Sequence, residues 1–199
     1  MVATRRLGTE TSETRAGLLD ATEQLMLDSG YAAVSSRRVA AVAGVRPALV
    51  HYYFRTMDDL FLATFRRRAE EAFAHQQRAL RSPQPLWALW EVSRDPRGSV
   101  LTMEFAALAN HRPAIRAEIT AAAERIRSQQ VEVLREVLAG HSVTVDDCPP
   151  VVAAVLIAGI SMLLALEQGS LGMSTGHGET IAYVEGYVRR LEGDRVTER

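Results

Sequence analysis

Two short apolar stripes with a glycine and a proline between them constrain this chain more tightly than any other feature. They lie in the stretch Ser35–Leu60, Ser-Ser-Arg-Arg-Val-Ala-Ala-Val-Ala-Gly-Val-Arg-Pro-Ala-Leu-Val-His-Tyr-Tyr-Phe-Arg-Thr-Met-Asp-Asp-Leu. Ser36 is the expected N-cap, because its hydroxyl can accept from the free amides of a first helical turn. Val39, Ala40 and Val42 follow as an apolar stripe at helical spacing. Gly44 is a residue that can turn with φ above zero after a helix end. Pro47 suits the first turn of the next helix, where no amide is needed. Val50 and Phe54, four apart, face inward, and His51 and Tyr53 point elsewhere. Small residues at 40 and 44 permit two helices to cross closely. The pattern predicts a helix-turn-helix, a unit whose second helix enters the major groove of DNA.

Charge supports this reading. From Tyr31 to Met57 the chain carries Arg37, Arg38, Arg46 and Arg55 and no acid. The whole sequence has a formal net charge of -1, so the basic character is local. A basic surface facing phosphate is the main source of nucleic-acid affinity.

These residues resemble the DNA-binding signature of the TetR family of bacterial transcriptional regulators. The matching positions are Ser35, Ser36, Val39, Ala40, Ala43, Gly44, Val45, Val50, Tyr53, Phe54, Thr56, Asp58, Asp59 and Leu60. The motif covers about the first third of the chain. The departures are Arg46 where the family usually has Ser, His51 where it has Tyr, and Met57 where it has a Lys that often contacts phosphate. Pro47, Ala48 and Leu49 lack side-chain hydrogen-bond donors at positions the family uses to read bases. Readout is therefore expected to lean on apolar contacts, such as those with thymine methyls, and on Arg37, Arg46, His51 and Tyr53. The DNA-binding set is Ser36, Arg37, Arg46, Pro47, Ala48, Leu49, His51, Tyr52 and Tyr53.

The rest of the chain reads as helical. Residues 1 to about 10 predict a solvated tail, with Arg5 and Arg6 as a possible minor-groove arm. The first helix is expected from Thr11 to Ser29, with Leu18, Leu19, Thr22, Leu25 and Met26 on one face and Gly30 ending it. By the resemblance, Thr11, Ser12 and Thr14 lie near the DNA backbone. A fourth helix, Met57 to Arg81, has Asp58 and Asp59 in its first turn and would be about 37 Å long. Arg66, Arg67 and Arg68 on it read as a solvated face. Further helices are expected over Pro85–Arg94, Ser99–Asn110, Arg112–Ala139, Val151–Leu166 and Glu179–Leu191. Val143–Pro150 and Leu171–Gly178 are expected loops.

Val151–Leu166 is apolar all round. It falls short of the roughly 20 residues of a membrane span, and Glu167 and Gln168 stop it, so burial on several sides of a soluble bundle is the expectation. Its surplus apolar surface and the stripe Ile181, Val184, Val188 and Leu191 suggest a four-helix bundle between two chains. The resemblance implies the same homodimer through the last two long helices.

No catalytic constellation is present. The histidines (His51, His75, His111, His141 and His177) sit at no ligand spacing, Glu71 and His75 read as a surface pair, and there is no phosphate-binding loop. No enzyme activity, metal or cofactor is therefore expected. Single Cys148 excludes an internal disulfide and fits a cytoplasmic protein. The first ten residues are polar and show no secretory signal.

Phe65, Phe73, Trp87, Trp90, Met103, Phe105 and Met162, with Asn110, His111, Gln130 and Glu167 as polar groups, read either as ordinary core or as the lining of a ligand pocket. The resemblance implies a pocket, with Phe65, Trp87, Trp90, Met103, Phe105, Asn110, His111 and Met162 as its candidates. The expected architecture is all-α with about nine helices. Residues 1–55 form a three-helix DNA-binding domain, and residues 56–199 a ligand-binding and dimerising domain. The expected partners are an operator in double-stranded DNA, a small-molecule effector and a second copy, with no membrane.

Overall fold

Proline and glycine punctuation sets the element borders. The computed structural model describes residues 13–141, 143 and 148–196. Among them are nine α-helices and no strand: α1 Glu13–Ser29, α2 Ser36–Val42, α3 Pro47–Tyr53, α4 Met57–Leu80, α5 Pro85–Ser93, α6 Pro96–Ala109, α7 Pro113–Gly140, α8 Pro150–Leu166 and α9 His177–Glu192. A 3₁₀ turn, Tyr31–Ala33, follows α1, and a π turn, Glu167–Leu171, follows α8. Prolines open α3 and α5–α8, where a missing amide leaves no hydrogen bond unmade. The expectations for Arg5, Arg6, Thr11 and Ser12, and part of the 143–150 loop, lie outside the described residues.

Several borders differ from expectation. Helix α6 starts at Pro96 rather than Ser99, because the Asp95 carboxylate accepts from the amides of Arg97 (3.1 Å) and Gly98 (3.0 Å). Helix α9 starts at His177, two residues earlier than expected, and π geometry takes up the start of the expected 171–178 loop.

The chain divides into two compact units: residues 1–70 with 101–120, and residues 71–100 with 121–199. In the first unit Leu18, Leu19, Leu25 and Met26 of α1 pack with Val39, Val50, Leu60 and Phe61. Leu101, Phe105 and Leu108 of α6 and Ile115 of α7 complete the same core. Buried Thr22 and Thr64 donate to the carbonyls of Leu18 and Leu60, both at 2.8 Å, so neither hydroxyl is left unpaired. Arg67 is no solvated residue. It pairs with Asp20 and with buried Glu23, both at 2.8 Å. Burial works against its charge, but the hydrogen bond and charge of Glu23, with those of Asp20, outweigh it and raise the Arg67 pKa above its ordinary value. Arg66 likewise holds Glu118 through two bonds, at 2.5 and 3.2 Å.

In the second unit α5 packs against α8 and α9. Leu86, Trp87, Leu89, Trp90, Leu134, Ala154 and Val188 form the core, with Ile181, Val184 and Leu191 packed against it, so the α9 stripe expected to face a second copy packs on its own chain's core. The Glu192 carboxylate accepts from the amides of Leu86 (2.8 Å) and Trp87 (3.1 Å), capping α5 from the end of α9. On α7, Leu134, Leu138 and Gln130 are the buried residues of this unit, and Ile126, Val133 and Val137 are half-buried. Buried Gln130 donates to Gln76 at 3.1 Å.

Helix α8 corrects one expectation. It is not buried on several sides: Pro150, Ala154 and Ser161 alone are buried, and Val151, Val152, Val155, Leu156, Leu163 and Leu166 are exposed in the protomer. One stripe meets α5, where Ser161 hydrogen-bonds Ser93 at 2.9 Å, and Ala153, Ile157 and Ile160 pack partly on the core of the second unit. By length and composition Pro150–Leu171 would suffice to cross a membrane.

Candidate nucleic-acid interface

The predicted helix-turn-helix is built from α2 and α3. Gly30 ends α1 with φ 75° and ψ 162°, a region open in practice to glycine alone, and the 3₁₀ turn then redirects the chain. Ser35, not Ser36, is the N-cap of α2, its Oγ accepting from the Arg38 amide at 3.4 Å. The reason is backbone geometry: Ser35 is extended and Ser36 is already helical, so only the Ser35 hydroxyl faces the free amides. Arg38 donates to the Ala33 carbonyl and to Ser29 Oγ, both at 3.2 Å, and so braces the corner.

After α2 the Val45 amide donates to the Ala40 carbonyl at 2.9 Å and closes the turn. Gly44 sits at φ 66° with nothing within 4 Å of an added Cβ. Its value is the left-handed backbone, not the close crossing expected from its size. Ala40, 1% exposed, does occupy the packed side, whereas Val42, expected in the apolar stripe, is exposed. Arg46 precedes α3 without capping through its side chain, and Pro47 takes the first helical position. Val50 and Phe54 are buried as expected. Arg15 stacks over Phe54, its guanidinium carbon 5.2 Å from the ring centre.

The outward residues share a surface of one charge sign. Arg37, Arg46, Pro47, Ala48, His51 and Tyr52 are exposed, and Ser36 and Leu49 are half-exposed. Tyr53 is expected to point away from the core but packs partly against it and meets Tyr52 edge to face at 5.2 Å. The acids that follow the motif are engaged at the start of α4. Thr56 and Asp59 exchange amide hydrogen bonds at 3.0 Å in a capping box that starts α4, and Asp58 pairs with Arg112. Arg37 of α2 and Arg46 before α3 are exposed, and the Tyr31–Met57 segment that carries them contains no acid. This surface can hold phosphate through Arg37 and Arg46 and offers apolar atoms of Pro47 and Ala48 to a base edge.

The residues singled out for a ligand fall in both units. In the first, Phe65 meets buried Phe105 edge to face at 5.2 Å, Met103 is half-buried, and Asn110 and His111 are exposed between α6 and α7. In the second, Trp87 and Trp90 are buried, Trp87 Nε1 donates to the Gly193 carbonyl at 3.0 Å, and Met162 is half-buried. A groove of about 340 Å³ in the second unit, beside Pro85, Glu136, His141 and Leu191, touches none of these candidates. Glu104, which donates no sequence signal of any kind, reaches the 3₁₀ turn of the head at 2.6 Å.

Residues 18–64 match the model of bacterial regulatory proteins of the tetR family. The HTH-type transcriptional regulator BetI of Rhizobium meliloti (strain 1021) is 27% identical over 186 residues, 88% of this chain and 89% of that protein. A TetR-family regulator of a Rhodococcus species superposes with a TM-score of 0.72 at 19% identity, over 91% of this chain and 100% of that one. A regulator from Saccharomonospora viridis, solved in complex with choline, gives 0.71 at 20% identity, over 94% and 99%. The matched head coincides with the exposed basic helix pair, and the likeness to BetI runs nearly the whole length of both chains. Residues 18–64 are thus similar to the DNA-binding head of tetR-family regulators, and the chain as a whole is similar to the transcriptional regulator BetI and shares the fold of those solved regulators.

Proposed function

We propose that this regulator is a cytoplasmic repressor that occupies a palindromic operator as a homodimer and leaves it when a small molecule binds. The observation that carries the reading is the acid-free segment Tyr31–Met57, which exposes Arg37, Arg46, His51 and Tyr52 around α2 and α3. Residues 1–55 hold the DNA and residues 56–199 bind the effector and dimerise. Pro47 and Ala48 touch thymine methyls, while Arg37 and Arg46, with Ser36, Leu49, His51, Tyr52 and Tyr53 beside them, fix register on the backbone and bases.

The dimer uses α8 and α9. The open face of Val151, Val155, Leu156 and Leu163 is too apolar to stay in water, and Tyr183 and Tyr187 of α9 are exposed as well. A second copy covers this face better than a bilayer does, because one stripe of α8 is already packed on α5 and Glu167 follows directly at its end. Two-fold symmetry sets the two heads for half-sites about 34 Å apart or a multiple of it.

The effector binds in the helical domain and favours a dimer whose heads are wrongly spaced. A shift from mostly bound to mostly free needs a differential affinity of roughly 5 kcal/mol. Arg125 lies 4.2 Å from the Phe73 ring centre, Arg94 5.3 Å from that of Trp90 and Arg189 6.0 Å from that of Trp87, so one face of each of these rings already carries a guanidinium.

The test is selection of genomic fragments by the purified protein at near-physiological salt. Recovery of a few palindromic sites beside particular genes is the expected result, with R37A weakening that binding and leaving the dimer intact. Recovery of random fragments alone would overturn the reading in favour of a helical carrier without a DNA role.

A further inference from the structure

We infer that Glu104, on α6 and far outside the residues of the helix-turn-helix, is a positioning residue for DNA reading. The inference rests on the operator-binding function proposed above. The Glu104 Oε2 accepts from the Tyr31 amide at 2.6 Å, within the first unit. Tyr31 opens the 3₁₀ turn that aims the chain from α1 into α2. The turn has lost the helical partners of its first amides, so a carboxylate at this point meets a real need, and a charged acceptor makes the stronger kind of hydrogen bond.

The site is shaped for that contact. Gly30, just before the turn, adopts φ 75°, and a Cβ added there would come 3.4 Å from Glu104 Oε2. The same glycine therefore makes the sharp corner and keeps the approach of the carboxylate open. Downstream, Ser29 Oγ and the Ala33 carbonyl at the two ends of this corner both accept from Arg38 of α2. A displacement of the turn passes directly into α2, and through the bond between Val45 and Ala40 into the start of α3.

Glu104 is itself held firmly. Its neighbours Leu101, Phe105 and Leu108 are 1%, 2% and 0% exposed in the core of the first unit. Just beyond α6, Arg112 pairs with Asp58 and stacks over Phe61 at 5.5 Å. Glu118, farther along in α7, is tied to Arg66. The segment that presents the carboxylate is thus anchored to α4 at two points, and the aim of the recognition helix depends on a side chain outside the helix pair that reads DNA. Specific reading needs register on the bases, whereas non-specific affinity needs only arginines near phosphate. Loss of the contact therefore acts on the first and spares the second.

The experiment compares wild type, E104A, E104D and E104Q on the operator recovered by wild type and on a scrambled duplex, with thermal unfolding of each protein. E104Q keeps an oxygen acceptor at the same reach, and E104D withdraws the carboxylate by one methylene. The expected result is about a tenfold loss of the specific-to-scrambled affinity ratio for E104A and E104D, with unchanged scrambled binding and near wild-type behaviour of E104Q. E104D carries the test if E104A does not fold. An unchanged ratio in both variants, or parallel losses on both duplexes, overturns the inference alone. Failure of wild type to prefer any duplex overturns the operator-binding function and this inference with it.

Discussion

Leu18, Leu60 and Ile115 in the first unit are fully buried, whereas Val155, Leu156 and Leu163 on α8 keep 52%, 55% and 52% of their surface exposed. Both regions are rich in apolar residues, yet the chain covers one and leaves the other open. The head has short helices whose stripes close on each other, with α6 and α7 completing the core. Helix α8 is apolar around its whole circumference, and packing on the core of the second unit buries only a stripe of it. The contrast teaches that apolar content alone does not say where burial occurs. A narrow stripe is satisfied within the chain, and an all-round apolar helix needs a further partner.

The largest effect should come from charging the open region. L156R is expected to give a monomer in sedimentation velocity and to weaken palindrome binding by at least about a hundredfold, because the second head no longer binds intramolecularly. A dimeric L156R protein would break the contrast. In the closed region, L60A is expected to lower the unfolding free energy by about 2–5 kcal/mol in urea titrations. L163A should act instead through dimerisation, with a midpoint that moves toward wild type as protein concentration rises. A similar intrinsic loss in both variants would mean that α8 is covered within its own chain.

The head leaves some apolar atoms open too, at Pro47 and Ala48. Replacing each thymine of the recovered operator by deoxyuridine should weaken binding by about fourfold at a methyl the protein reads, from the free energy of one buried methylene-sized group. Competition titrations that show no sensitive thymine would leave readout to the arginines and to DNA shape. The smallest effect concerns the exposed Arg66–Glu118 pair. The hydrogen bond from Arg66 holds the Glu118 carboxyl below its ordinary pKa. A depressed folded-state value means that the pair stabilises fully above the unfolded glutamate pKa and loses that contribution as pH falls through the folded one. Wild type and E118Q should therefore differ slightly in melting temperature at neutral pH and converge in acid.

Local chemistry was legible from the residues alone. Pro47 and Gly44 marked the helix-turn-helix, the spacing of Leu18, Thr22 and Leu25 marked the buried side of α1, and the run without acid marked the basic surface. Each depends on a turn or two of backbone, which neighbouring residues control. Cap position was less legible: adjacent serines differ only in which one leaves the helix, and Ser35 does so.

Pairings between distant residues followed a different logic. Glu104 meets an amide 73 residues away, and Arg67, part of an apparently solvated basic run, holds two acids of α1. Spacing along the chain carries no trace of such partners, because they follow from which helices share a core. The exposure of α8 has the same origin. Its composition announced a helix hungry for apolar contact, but the extent of its cover depended on how the helices of the second unit packed against it, and Val151, Val155, Leu156 and Leu163 stayed exposed.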